Sequence, residues 1–194
     1  FYHTNLAPCK VGVIKAVAQA HTEFFKTVNQ VAKEKQIIVT HLEKDNTAIL
    51  NADDEKVLAM ATKTEAETIL FGFSDKAHVR AVEFNIIQER EKGFLQTKGV
   101  NFKIQYGGAV VPVFLPEVAG TQHVYAALAA VAVGLSYGLN LVEISERLRF
   151  YNPPPSRMRL LSGIKFTTII DDSYNSSPLA ALLALRILSE IKIM

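Results

Sequence analysis

Cysteine is almost absent from this 194-residue sequence, where Cys9 stands alone. An internal disulfide and a cysteine-rich zinc site are thereby excluded, and the usage fits a reducing, cytoplasmic compartment. Neither charge sign is in excess: Lys+Arg 21 against Asp+Glu 19 leaves a net +2. With no basic block as well, the balance argues against a partner that is nucleic acid held through its phosphates. The chain contains no GxxxxGK[ST] phosphate loop and no GxGxxG fingerprint. A G-x-S-x-G elbow is also missing, and no Ser-His-Asp order can be assembled. Long apolar runs are scarce. Val124 to Leu139 is uncharged but Ala-rich and interrupted by Gly134, Ser136 and Gly138. It is also shorter than the roughly 20 residues a bilayer crossing requires. A buried core helix, and no membrane span, is the expectation.

What is present is the composition of a globular protein, 49% apolar and 21% charged, which excludes disorder. The opening FYHTNLAPCK has neither an initiator Met nor the pattern of a secretory signal. The sequence stops at Ile191-Lys192-Ile193-Met194 inside a helical pattern, so a fragment of a longer protein is expected.

Val11 to Ile14 reads as a buried strand, Thr27 to Leu42 as an amphipathic helix, and Thr47 to Leu50 as a second strand. That strand ends at Asn51-Ala52-Asp53-Asp54. A helix to about Thr62 follows, with Asn51 or Asp53 as its expected cap. Thr68 to Phe73 completes a strand–helix alternation that implies a parallel, helix-covered sheet. After His78 the pattern changes. Val79–Ile87, Phe94–Tyr106 and Val110–Leu115 read as strands of a small antiparallel section turning at Gly93 and Gly107-Gly108. Helices are expected near Gln122–Tyr137 and Leu141–Leu148, then a stiff break at Pro153-Pro154-Pro155. Phe166 to Ile170 reads as a strand reaching Asp171-Asp172, and Ser177-Pro178 as the start of a helix. The fold class is α/β.

Several residues invite a chemical reading, each beside a plain structural one. Lys35 falls in the middle of the stripe formed by Val28, Val31, Ala32, Ile38, Val39 and Leu42. It either snorkels, stem on the core and head in water, or its buried charge is paired or chemically altered. His21 with Glu23 two residues on is a weak metal signal or an ordinary loop pair. Asn51 to Asp54 lies at the strand edge where open α/β sheets bind ligands, but equally suits a helix cap. Asp171-Asp172 occupies the same kind of strand end. Arg157, just past the prolines, suits a phosphate fork or a plain surface position.

Together these segments resemble the Mur ligase family of ATP-dependent amide-forming enzymes. Val11-Gly12-Val13-Ile14 with Ala20-His21-Thr22-Glu23-Phe24-Phe25 is similar to the family's strand and "aHlEfF" segment. Val31-Ala32-Lys33-Glu34-Lys35 resembles its "iAxaK" helix, and Ile49-Leu50-Asn51-Ala52-Asp53-Asp54 its strand end. Leu128-Ala129-Ala130-Val131-Ala132 resembles its Ala-rich helix. Arg157 and Asp171-Asp172-Ser173-Tyr174-Asn175-Ser176-Ser177-Pro178 resemble its hinge Arg and "DDxYNanP" segment. That last segment is similar to the branch that adds D-alanyl-D-alanine to UDP-MurNAc-tripeptide, a UDP-MurNAc-peptide substrate. Lys15 stands where a small polar residue is usual, and Gln122-His123-Val124-Tyr125 departs from the usual His-Asn pair.

The resemblance implies residues 1–152 as the latter part of a central ATPase domain, with its phosphate loop upstream. Residues 153–194 become the hinge and start of a Rossmann-like C-terminal domain. It implies ATP and Mg2+ as cofactors and an acyl phosphate that the incoming amine attacks. His21 would ligand a magnesium ion, and Lys35 would be carbamylated and face the metal. Asn51 would lie near adenine, Arg157 near the phosphates and Asp172 near the ribose, with the prolines as hinge. The fragment alone is expected to be inactive. Another amide ligase of the superfamily, or a non-catalytic nucleotide-binding protein, remains the alternative.

Overall fold

The computed structural model describes residues 9–18, 27–174 and 178–192. The strands are β1 (Val11–Ile14), β2 (Thr47–Asn51), β3 (Glu67–Gly72), β4 (Val79–Glu91), β5 (Phe94–Tyr106), β6 (Ala109–Pro116), β7 (Arg159–Ser162) and β8 (Thr168–Asp171). The α-helices are α1 (Val28–Thr40), α2 (Glu55–Leu58), α3 (Thr121–Ser136), α4 (Leu141–Leu148) and α5 (Pro178–Glu190). A 3-10 turn, Ala59–Lys63, extends α2. In one sheet the strands follow chain order from β1 to β6, and β7 and β8 form a separate pair. The α/β class and the placement of its elements agree with the sequence reading. Among the described residues no helix is long and apolar enough to cross a membrane.

The chain divides into two compact units. The first comprises Phe1–Arg80, Gln105–Ala109 and Tyr125–Leu141, the second Ala81–Ile104, Val110–Val124 and Val142–Met194.

In the first unit β1, β2 and β3 are parallel, with Val11 opposite Thr47 and Thr47 opposite Glu67. Every residue of β2 is buried, as expected of a parallel strand covered on both faces. Thr27 starts α1 with a reciprocal capping box: its Oγ accepts from the Gln30 N–H while Gln30 Oε1 accepts from the Thr27 N–H. The helix lies close over β1, because a Cβ on Gly12 would come within 3.0 Å of Ile38 Cγ2. Val31, Val39 and Leu42 pack there with Ile14, Ala48 and Leu50.

In the second unit β4 and β5 are joined by Lys92 and Gly93, both with positive φ (49° and 90°), the backbone of a tight two-residue hairpin turn. The antiparallel pair β7–β8, with Leu160 opposite Ile170, shares a core with α5 through Met158, Leu160, Ala184 and Ile187. Strand β7 was not anticipated. Strand β8 starts at Thr168 because Ile164–Phe166 forms a 3-10 turn instead of extending.

Candidate functional site

The C-terminal edge of the parallel strands gathers several of the polar residues singled out above. The side-chain Nδ2 of Asn51, a residue only 6% exposed, donates to the Lys15 carbonyl at 2.8 Å. Its Oδ1 accepts from the Asp53 N–H at 2.9 Å. Lys35 reaches the next residue of the same segment, its Nζ donating to the Ala16 carbonyl at 2.6 Å. Asp54 holds the one after, Oδ2 accepting from the Val17 N–H at 2.6 Å. Thus Asn51, Lys35 and Asp54 hold in turn the three residues that follow β1.

Two expectations are corrected here. The cap of α2 is Asp54, whose Oδ1 accepts from the N–H groups of Lys56 and Val57, and not Asn51 or Asp53. Lys35 is exposed, so the burial on which its altered-charge reading rested is not met. Its head finds a carbonyl while staying in reach of water, which is how a long cationic side chain avoids desolvation.

Asp53 clamps the loop after β3. Its carboxylate accepts from the N–H groups of Phe73 (2.6 Å) and Ser74 (2.9 Å) and from the Tyr125 hydroxyl (2.9 Å). Partial burial raises its pKa, but the hydrogen bonds it accepts, those of the Phe73 and Ser74 N–H groups first, outweigh it, and the net shift is downward. Burial, and then the bond and charge of Asp53, raise the Tyr125 pKa well above the usual phenol range, which keeps it a donor. The Phe73 and Tyr125 rings meet edge to face at 5.2 Å.

His21 and Glu23 lie outside the described residues. Among those described, no group of three His, Cys, Asp or Glu could hold a metal ion. The Asp53 and Asp54 oxygens are committed to protein donors, and Lys35 presents a donor. The described residues of this edge therefore do not by themselves fit a magnesium ion.

The second unit holds the other two residues singled out, Arg157 and Asp172, at the segment following the prolines. Ser156 and Met158 have positive φ (59° and 51°), a conformation costing non-glycine residues about 1–2 kcal/mol each. It persists because three successive residues are held. The Ser156 carbonyl accepts from the Tyr174 N–H (3.1 Å), the Arg157 carbonyl meets His123 Nε2 (2.8 Å), and the Met158 N–H donates to Asp172 Oδ1 (3.1 Å). Met158 is buried at 1% exposure, which anchors the segment. The exposed Arg157 guanidinium lies over the Tyr174 ring at 4.0 Å. Asp171 accepts from Ser173 through Oδ1 and from the Ser156 hydroxyl through Oδ2. The Ser173 hydroxyl above all lowers the Asp171 pKa.

So Arg157 and Asp172 are brought to neighbouring residues of one backbone. Their chemistry, an exposed guanidinium fork over Tyr174 and a carboxylate bonded to the residue after Arg157, suits a phosphorylated polyol such as a nucleotide. His123 belongs to this cluster and was not among the expected site residues. Its departure from the family's His-Asn pair was the available signal. Its partners, 28 and 34 residues away, carry no local mark.

Comparison with known proteins bears on this geometry. The family described as Mur ligase middle domain matches residues 3–134. A curated UDP-N-acetylmuramoyl-tripeptide--D-alanyl-D-alanine ligase of Buchnera aphidicola is 27% identical over 190 residues, covering 98% of this chain and 39% of that protein. A cyanophycin synthetase of Geminocystis herdmanii is 28% identical over 179 residues, 86% of this chain and 20% of that one. Among solved structures, the MurF ligase of Thermotoga maritima in complex with ADP superposes with a TM-score of 0.79 at 20% identity, over 97% of this chain and 41% of that one. The chain thus spans about two fifths of the ligases it matches, or less.

Proposed function

The chain belongs to the Mur ligase family, and from that premise we propose that the protein carrying it forms amide bonds at the expense of ATP in peptidoglycan precursor synthesis. The reaction adds D-alanyl-D-alanine to UDP-MurNAc-tripeptide. A substrate carboxylate takes the γ-phosphoryl group of ATP, releasing ADP. The amine of the dipeptide then attacks the acyl carbon, and phosphate leaves.

The observation that carries the reading is the paired placement of Arg157 and Asp172 on a constrained backbone, inside a segment of the Asp-Asp-x-Tyr-Asn type. In this role Arg157 neutralises phosphate charge and Asp172 accepts from ribose hydroxyls. Asn51, its amide fixed by Lys15 and Asp53, is the adenine contact. The family resemblance assigns Lys35 and His21 to the side of a Mg2+ ion, which would offset charge on the transferring phosphoryl group when bound. The nucleotide substrate places the enzyme in the cytoplasm. Residues 1–152 then act as central-domain sequence and 153–194 as hinge and start of the C-terminal domain.

A second reading, an amide ligase acting on another carboxylate, is favoured by the similarity to a cyanophycin synthetase. The test is coupled ADP release by the complete gene product with ATP and magnesium, supplied in turn with UDP-MurNAc-tripeptide plus D-alanyl-D-alanine and with a cyanophycin primer plus amino acids. Turnover with the first pair is expected. Turnover with the primer alone would favour the second reading, and with neither would refute ligation of either kind.

A further inference from the structure

We propose that His123 is a positioning residue for Arg157, acting through the Arg157 backbone; this rests on the reading that Arg157 meets nucleotide phosphate. His123 is 3% exposed and sits in the first turn of α3. Both ring nitrogens are engaged, Nδ1 with the Tyr151 hydroxyl and Nε2 with the Arg157 carbonyl, each at 2.8 Å. A carbonyl can only accept, so Nε2 carries the proton. Nδ1 of the neutral ring then accepts from the Tyr151 O–H, and partial burial, which raises the Tyr151 pKa, keeps that proton in place. One tautomer is therefore selected, and the ring is held at both ends.

The consequence lies in where the ring grips. Arg157 sits between two residues with positive φ, each strained, so its backbone has local reason to relax. The flanking bonds, Tyr174 N–H to Ser156 and Met158 N–H to Asp172, come from the β8 end of the same cluster. His123 is the tie from outside it, and it holds the carbonyl of Arg157 itself. Releasing that carbonyl lets the peptide rotate and carries the guanidinium away from its place over Tyr174. A long exposed Arg then loses its pre-organisation, and a ligand must supply the ordering entropy instead.

The shape of the ring makes the idea testable. In a glutamine the amide nitrogen stands where His Nε2 does, whereas an asparagine amide reaches only the Nδ1 position. In the complete gene product, His123→Asn should raise the KM for ATP about tenfold with kcat within about threefold, whereas His123→Gln should stay within about threefold of wild type in both. A double-mutant cycle identifies the route: with Arg157→Ala present, His123→Asn should change the KM for ATP by less than about twofold, even where it still lowers the melting temperature. Equal KM values for the Asn and Gln variants, or an undiminished effect in the Arg157→Ala background, would overturn the positioning role. If His123→Asn fails to fold, Tyr151→Phe, which frees Nδ1 alone, should raise the KM by about threefold, and an unchanged KM would count against the proposal. A wild-type protein whose ADP affinity is unaffected by Arg157→Ala would refute the nucleotide reading, and this inference with it. An Arg157→Ala effect beside a silent His123→Asn refutes the inference only.

Discussion

Two strand ends in this molecule carry the same sequence signature, an apolar strand running into paired aspartates, and the fold uses them differently. At the end of β2, Asp53 and Asp54 together accept from five backbone N–H groups and one hydroxyl. These bonds tie together the segment after β1, the start of α2 and the loop after β3. At the end of β8, among the described residues, Asp171 bonds only to Ser156 and Ser173, and Asp172 accepts from the single N–H of Met158. The first pair is spent on scaffold. The second meets fewer donors among the described residues, and the exposed Arg157 lies next to the residue that Asp172 holds. Position at the C-terminal edge of a strand is therefore not sufficient evidence of a ligand contact. What separates the two is how many protein donors already face each oxygen.

The largest expected effect strikes the scaffold end. A Cβ on Gly72 would lie 2.6 Å from Asp53 Oδ2. That carboxylate cannot swing aside without surrendering its bonds to Phe73, Ser74 and Tyr125. Gly72→Ala should lower the local stability of the first unit by about 3 kcal/mol. Hydrogen exchange of the β2 and β3 amides in the complete gene product measures it, and a loss under about 1 kcal/mol would mean the clamp is soft. Asp54→Ala should follow at about 2 kcal/mol by the same readout, since it removes a helix cap and the tie to Val17.

The β8 end should show the inverse profile. Asp172→Asn keeps an acceptor for Met158 but removes charge from the ligand side. ADP affinity should fall about tenfold while amide protection stays within about 0.5 kcal/mol of wild type. Protection lost without affinity lost would assign Asp172 to scaffolding and erase the contrast.

Much of this architecture was legible because it rests on local rules. The span of α1 follows from apolar spacing and its Thr27–Gln30 capping pair, and the parallel strands from short apolar runs with a helix between them. What escaped was non-local or very short. Strand β7, four residues just after a proline run, has no periodicity to detect. The cap of α2 was misplaced because three polar residues in four compete for it, and only the path of the loop after β3 assigns Asp53 elsewhere. The stripe left Lys35 either snorkelling or buried, because it locates only the Cα. The length of its side chain, not the stripe, decides where the charge ends. The Arg157 and Asp172 positions were read from motif resemblance, whereas His123 was missed, its one signal being the departure from the family's His-Asn pair.

The smallest expected effect is also the one that isolates charge in the comparison. Asp53 has a folded-state pKa below its ordinary value, because the hydrogen bonds it accepts outweigh the effect of partial burial. A carboxylate depressed on folding contributes stability that is fully present above its unfolded pKa, near 3.9, and lost as pH falls through the lower folded value. The loop after β3 should therefore loosen between about pH 5 and pH 3. Asp53 is largely exposed, so solvent screening should hold the change to less than about 1 kcal/mol. Asp53→Asn retains an acceptor and cannot titrate, and should flatten this dependence while starting from a weaker clamp. The measurement is the ratio of exchange rates at the Phe73 and Ser74 amides, wild type over variant, across that pH interval, which cancels the intrinsic pH dependence of exchange. The ratio should rise toward unity as pH falls, because wild type loses protection the variant never had. A ratio that does not move would show that geometry alone holds this loop, and that the carboxylate's charge adds nothing at the strand end it clamps.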